Sequence, residues 1–396
     1  MAYCMHTTPY RFLVAFLSVA GVLLLLTTDF LRAPDSDFAK TIFETCQAES
    51  DTVSCYEREI PTLYPKRSIK EVFGVVREVR TLDQSYQFCH VLAHKLGERV
   101  VEEDPNRWLE AIALNPPDGL CSNGFVHGVI GGRFRAEVLD EATLASLVPD
   151  FSRACEPRRG WNPTPLDRAI CYHGMGHLYD FITDADLPKA LQLCEETARS
   201  REPYDFRRVC REGVFMQIYQ PLEPDDYLMI ERMEVKPATT TVRSFCSRFE
   251  RDEYEGACLR ESWPFFAEEI KNGTGIRDFC QGQPNPMETD ACYETAFSIV
   301  GRMNLSDAHA ASRACDMTPS EERARCYFFV SKAVLEEDRR AASEAIALCQ
   351  MADTDTSQSC LKDLVGASSS MFISNSESYR EFCQKLPEDL KKDCSY

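Results

Sequence analysis

Apolar residues return along most of this chain at the spacing of a helix. Tyr293, Ala296, Phe297 and Val300 share one face, and Ala342, Ala345, Ile346 and Cys349 fall at i, i+3, i+4 and i+7, the period of an amphipathic helix. Between such stretches lie polar and turn-forming residues, as in Gln283-Pro284-Asn285-Pro286, which mark bends. The pattern predicts an all-α chain of short helical hairpins. One stretch departs from it. Phe12 to Leu26 is an almost unbroken apolar run that, with Phe30 and Leu31, approaches the roughly 20 residues needed to span a bilayer. Residues 27–34 offer no clear signal-peptidase site. The expectation is therefore a signal anchor over 12–31, a short cytoplasmic tail over 1–11 held inside by Arg11, and the bulk of the chain outside the cytoplasm. Secretion after signal cleavage is the alternative.

Cysteine positions change the picture from loose hairpins to a repeat. From Cys246 onward they fall into pairs, Cys246/Cys258, Cys280/Cys292, Cys315/Cys326, Cys349/Cys360 and Cys383/Cys394. First members are 34, 35, 34 and 34 residues apart, and second members 34 apart every time, a signature of stacked two-helix units too small to bury their own apolar faces. Each pair brackets a bend, so each bond would pin one helix to the next and stabilise its unit by about 2 to 3 kcal/mol. Cys194/Cys210 and Cys155/Cys171 read as the same unit with longer bends, Cys89/Cys121 as a more divergent one, and Cys46/Cys55 as a staple at the entrance. The expected fold is a solenoid of disulfide-stapled hairpins of about 34 residues, like a tetratricopeptide array in architecture, although the tryptophan, glycine, alanine and proline pattern of those repeats does not recur. The organisation reads as a linker and entrance segment over 32–85, histidine-rich repeats over 86–220, and C-terminal stapled repeats over 221–396.

Composition adds the compartment and excludes one partner class. Of 19 cysteines, 18 lie beyond the apolar run and Cys4 before it, an even external set suited to an oxidising compartment. A formal net charge of -19 repels polyphosphate and argues against nucleic acid.

Candidate chemistry gathers in one region. Of seven histidines, His90, His94, His127, His173 and His177 fall within 88 residues, each close after a cysteine. Cys121-Ser-Asn-Gly124-Phe-Val-His127 and Cys171-Tyr-His173-Gly174-Met-Gly176-His177 share the form Cys-x-x-Gly-x-x-His, and Cys210 to Met216 repeats it with methionine in the histidine position. His90/His94 and His173/His177 are spaced by four, one helical face, so the two pairs are expected to project into a common cavity with His127 between them. Neutral imidazole suits zinc, copper or iron, and Glu98 and Asp180 stand at helical spacing as further ligands, supporting partners or general bases. With the external cysteines paired, thiolate-rich zinc sites and iron–sulfur clusters are excluded. The chain also lacks a phosphate-binding loop, a nucleophile elbow and His-Glu-x-x-His.

The segments Cys89-His-x-x-x-His94, Cys121-x-x-Gly-x-x-His-Gly128 and Cys171-x-His-Gly-x-Gly-His177 resemble a pattern in uncharacterised bacterial envelope proteins, over roughly residues 86–180. That resemblance implies no catalytic residue. Two readings follow: a metal-dependent extracytoplasmic oxidoreductase or hydrolase, or a noncatalytic scaffold that binds a protein or peptide partner and uses its histidines structurally.

Overall fold

The computed structural model describes residues 35–134, 138–198, 200–201, 204–221, 224–233 and 236–394. Helices α1 (Asp35–Cys46), α2 (Thr52–Glu59) and α3 (Ile69–Leu82) come first, followed by α4 (His90–Val101), α5 (Trp108–Ile112) and α6 (Gly124–Phe134). Next come α7 (Glu141–Ala154), α8 (Pro165–Ile182), α9 (Leu187–Thr197), α10 (Phe206–Tyr219) and α11 (Pro224–Arg232). The remainder is α12 (Val242–Cys246), α13 (Asp252–Glu261), α14 (Ala267–Lys271), α15 (Ile276–Cys280), α16 (Pro286–Met303), α17 (Ala308–Asp316), α18 (Ser320–Glu337), α19 (Ala342–Gln350), α20 (Thr354–Met371), α21 (Glu377–Lys385) and α22 (Glu388–Lys391). The departures from an all-helical chain among the described residues are a small antiparallel ladder between β1 (Ser200–Arg201) and β2 (Tyr204–Asp205), just before α10, and an isolated bridge between Arg158 and Trp161.

Residues at the bends explain where helices begin. The stretch Gln283-Pro284-Asn285-Pro286 ends as a cap: Asn285 accepts a hydrogen bond from Glu288 N at 3.0 Å, and Pro286 takes the first helical position of α16, where a missing N–H costs nothing. Thr164 and Asp167 form a reciprocal box at the start of α8, at 3.1 and 2.8 Å, again with proline first. Nine disulfides join Cys46–Cys55, Cys89–Cys121, Cys155–Cys171, Cys194–Cys210, Cys246–Cys258, Cys280–Cys292, Cys315–Cys326, Cys349–Cys360 and Cys383–Cys394. Most second cysteines sit inside the following helix rather than at its tip. Cys292 and Cys326, for example, lie nearly two turns into α16 and α18, so the staple holds the helix where it packs.

The longer helices of successive units touch in order: α4, α6, α8, α10, α13, α16, α18 and α20. The order then turns back on itself. α20 touches α8, Ser122 N donates to Glu337 O at 3.3 Å, and Arg339 N donates to Asp118 O at 3.0 Å. The Arg339 guanidinium is buried, paired with Asp167 and donating to Pro117 O at 2.9 Å. Arg77 bridges Asp118 and Asp338. The far end of α18 is thereby fastened to the starts of α4 and α6.

Apolar burial forms two cores, one from Ala39 to Leu259 and one from Ile270 to Cys394. A layer of charge marks the junction. Arg260, 1% exposed, lies 2.9 Å from Glu212 and pairs with Glu288, while Arg208 is 3.0 Å from Glu294. Buried ions persist only when paired in this way.

The expected single-pass placement is corrected. Among the described residues no helix is long and apolar enough to cross a membrane. The 18-residue α18, for instance, carries Glu321, Glu322, Arg323, Arg325, Lys332, Glu336 and Glu337, far too many charges for hydrocarbon. The run over 12–31 and the tail over 1–11 lie outside the described residues. The nine disulfides mark an oxidising, extracytoplasmic environment.

Candidate metal centre

Two helix pairs carry the histidines, and both cross closely at glycine. A Cβ on Gly97 would lie 2.3 Å from Phe125 O and 2.6 Å from Val129 N, and one on Gly128 would lie 1.9 Å from His94 O. The pair α8 and α10 repeats the contact, with Gly176 against Cys210 O and Val214 N and Gly213 against His173 O. His94-Lys-Leu-Gly97 and His173-Gly-Met-Gly176 are thus equivalent in space. The repeated Cys-x-x-Gly-x-x-His form links α6 to α8 instead, so the two sequence patterns describe different neighbours of one array.

Close crossing lets the imidazoles meet. Ring centroids of His90, His94 and His127 lie 4.7, 5.1 and 5.2 Å apart, and their ligand atoms all fall within 4.8 Å of one another. The row continues: His127 is 5.9 Å from His173 and 5.6 Å from His177, which are themselves 4.9 Å apart. Glu98 and Asp180 do not join the three-histidine group. Glu98 packs against Gly132, and Asp180 is fully buried with neither carboxylate oxygen hydrogen-bonded. Burial and the charge of Asp226 hold the Asp180 carboxyl well above its usual range, which favours the neutral acid.

Hydrogen bonds fix which nitrogen of each ring carries the proton. His90 Nδ1 lies 3.2 Å from Cys121 O, His127 Nε2 2.7 Å from Ile170 O, and His173 Nδ1 3.1 Å from Val209 O. A carbonyl only accepts, so each of these nitrogens donates and the other nitrogen of the neutral ring keeps its lone pair. His177 Nδ1 lies 2.7 Å from Gln217 Oε1 in the same way. At His127 the lone-pair nitrogen, Nδ1, is buried with no protein hydrogen bond. His94 Nε2 and His90 Nε2 are 3.1 Å apart, a contact that needs one proton or one cation between them. This is how metal-binding imidazoles are held, with the distal N–H on a carbonyl that orients the ring and raises its basicity.

Electrostatics favour the neutral rings. Burial, then the neighbouring His127 and the charge of Arg302, lower His90 to about 3 against a smaller opposing effect of the Cys121 carbonyl. Burial, His177 and Arg302 do the same to His127, also to about 3. His173 is held well below its ordinary value by burial and by both neighbours. Arg302, on α16, lies 3.3 Å from Glu336 of α18, so the far side of the array also borders the histidine row. Nothing in the spacing of residue 302 announces this. A second group, Cys89, Cys121 and Glu337, is not a metal site, because both sulfurs are spent on the disulfide.

Comparison with family models, with curated proteins and with solved structures finds no match to this chain.

Proposed function

We propose that the protein is an extracytoplasmic metalloenzyme whose centre, held by His90, His94 and His127, binds zinc, copper or iron. The observation that carries this is the combination at one spot of converging ligand nitrogens and outward N–H groups tied to backbone carbonyls. Metal sites that are purely structural close their coordination with four protein ligands, whereas catalytic ones keep a position open. A group of three imidazoles fits the second kind. The metal sets the reaction class: zinc would make the site a hydrolase, copper or iron an oxidoreductase. The stapled hairpins are read as repeats of one unit of about 34 residues, stacked so that successive long helices supply successive ligands.

The test is elemental analysis of the intact protein, grown without added metal, beside His127→Ala. One equivalent of a transition metal in the parent and about 10-fold or greater loss of affinity in the variant is the expected result. No metal in the parent after reconstitution with zinc, copper(I), copper(II) and iron(II), with a lower melting temperature in the variant, would replace this reading with a scaffold for a protein or peptide partner and structural histidines.

A further inference from the structure

Met216 occupies the position in α10 that His127 and His177 occupy in α6 and α8, six residues after the second cysteine of its unit. Its Sδ lies 3.0 Å from His173 Nε2. His173 Nδ1 already donates to Val209 O, so a neutral ring turns a bare lone pair toward the lone pairs of a thioether. Two such atoms at this distance repel unless a proton or a cation lies between them. A proton there would make an imidazolium whose ring neighbours are two further histidines, His177 and His127, with no carboxylate bonded to it among its hydrogen-bond partners. His177 adds a second imidazole at a ring separation of 4.9 Å, oriented by Gln217. Both rings and the thioether are only partly buried, which leaves a path for an ion.

We propose that His173, His177 and Met216 form a second metal site, distinct from the three-histidine centre and selective for copper(I). Thioether sulfur is soft and stays unprotonated at any ordinary pH, so with two neutral imidazoles it favours a soft monovalent ion over zinc. The ring nitrogens of His90 and His127 hydrogen-bond to carbonyl oxygens rather than to sulfur. The two sites therefore differ in the ion they prefer.

Copper(I) titration of the full-length, disulfide-intact protein under anaerobic ascorbate, against a chromophoric copper(I) chelator, tests this. Met216→Leu keeps the volume of the side chain and is expected to weaken one copper(I) equivalent by about 10-fold or more, to remove a sulfur scatterer from the copper-edge X-ray absorption spectrum, and to leave zinc binding as it is. His127→Ala is expected to keep that sulfur-ligated equivalent, which separates this site from the three-histidine centre. Equal copper(I) affinity and an unchanged spectrum in parent and Met216→Leu would overturn the proposal, as would a parent that binds no copper(I).

Discussion

Gly128→Ala puts a methyl group where the structure has none to spare. Its carbon would lie 1.9 Å from His94 O and 2.6 Å from the His94 carbonyl carbon, whereas ordinary contact begins near 3.4 Å. α4 and α6 must therefore part by roughly 1.5 Å, the difference between those two distances. The obstacle is backbone on another helix rather than a side chain that can swing aside, so the cost sits at the upper end of overpacking, about 3 kcal/mol. Alanine recovers about 1 kcal/mol of helix propensity, which leaves a net loss of about 2 kcal/mol. Gly366 is the control, since a methyl group in the same kind of helix there meets nothing within 4 Å, and Gly366→Ala should gain about 1 kcal/mol. For a chain of this length each kcal/mol moves the melting temperature by roughly 1 to 2 °C. Thermal unfolding followed by circular dichroism should thus shift down for Gly128→Ala and up for Gly366→Ala. Because the crossing also sets the distance from His94 to His127, metal content should fall in the first variant alone. A Gly128→Ala protein that melts at or above the parent and keeps its metal would refute the close-crossing argument.

Arg339→Met strands the buried Asp167 carboxylate and should cost about 3 to 5 kcal/mol in chemical denaturation. Adding Asp167→Asn should restore at least half of that; no recovery in the double variant would show that the pair does not close the array. For the metal-free protein, His90 and His127 titrate near 3 when folded against 6.5 otherwise, so the unfolded chain binds more protons between those values and stability falls as pH drops from about 6.5 toward 3. Glu337, pushed up to about 7 by burial, works in the opposite direction, losing stability as pH rises from about 4.5 through 7. Melting curves of the parent, of His90→Gln with His127→Gln, and of Glu337→Gln should separate the two slopes, and parallel pH profiles for all three would contradict the assignment.

What the sequence discloses here is what lies near in sequence. A staple between Cys280 and Cys292 joins residues 12 apart, and helical spacing places His90 beside His94, so both can be read from periodicity. Contact between α4 and α6 brings His127 beside them. Periodicity gives a helical face but not every neighbour of that face. Glu98 follows His94 by four residues and packs against Gly132, and Asp180 follows His177 by three and is buried beside the charge of Asp226. The pairing of Arg339 with Asp167 and the influence of Arg302 on the histidines depend on how the array curves, which no local pattern encodes. The His-x-x-Gly correspondence of α4 with α8 was present in the letters but obscured by the stronger cysteine register.

The fastening of α18 to the starts of α4 and α6 has a bearing on biogenesis. An open repeat array can fold from its first units as they are made, because each contacts only its neighbours. Here Ser122 hydrogen-bonds Glu337 across 215 residues, and Cys89 N lies 3.4 Å from the same carboxylate. The loop carrying Cys121 therefore waits for a segment synthesised much later, and such long-range closure is slow as well as late. The histidines emerge well before the last support for their helices, so on the proposed metal reading ion capture would follow the synthesis of α18. A chain truncated before α18 would keep all five histidines of the row and lose the contacts of Glu337 with Ser122 and Cys89.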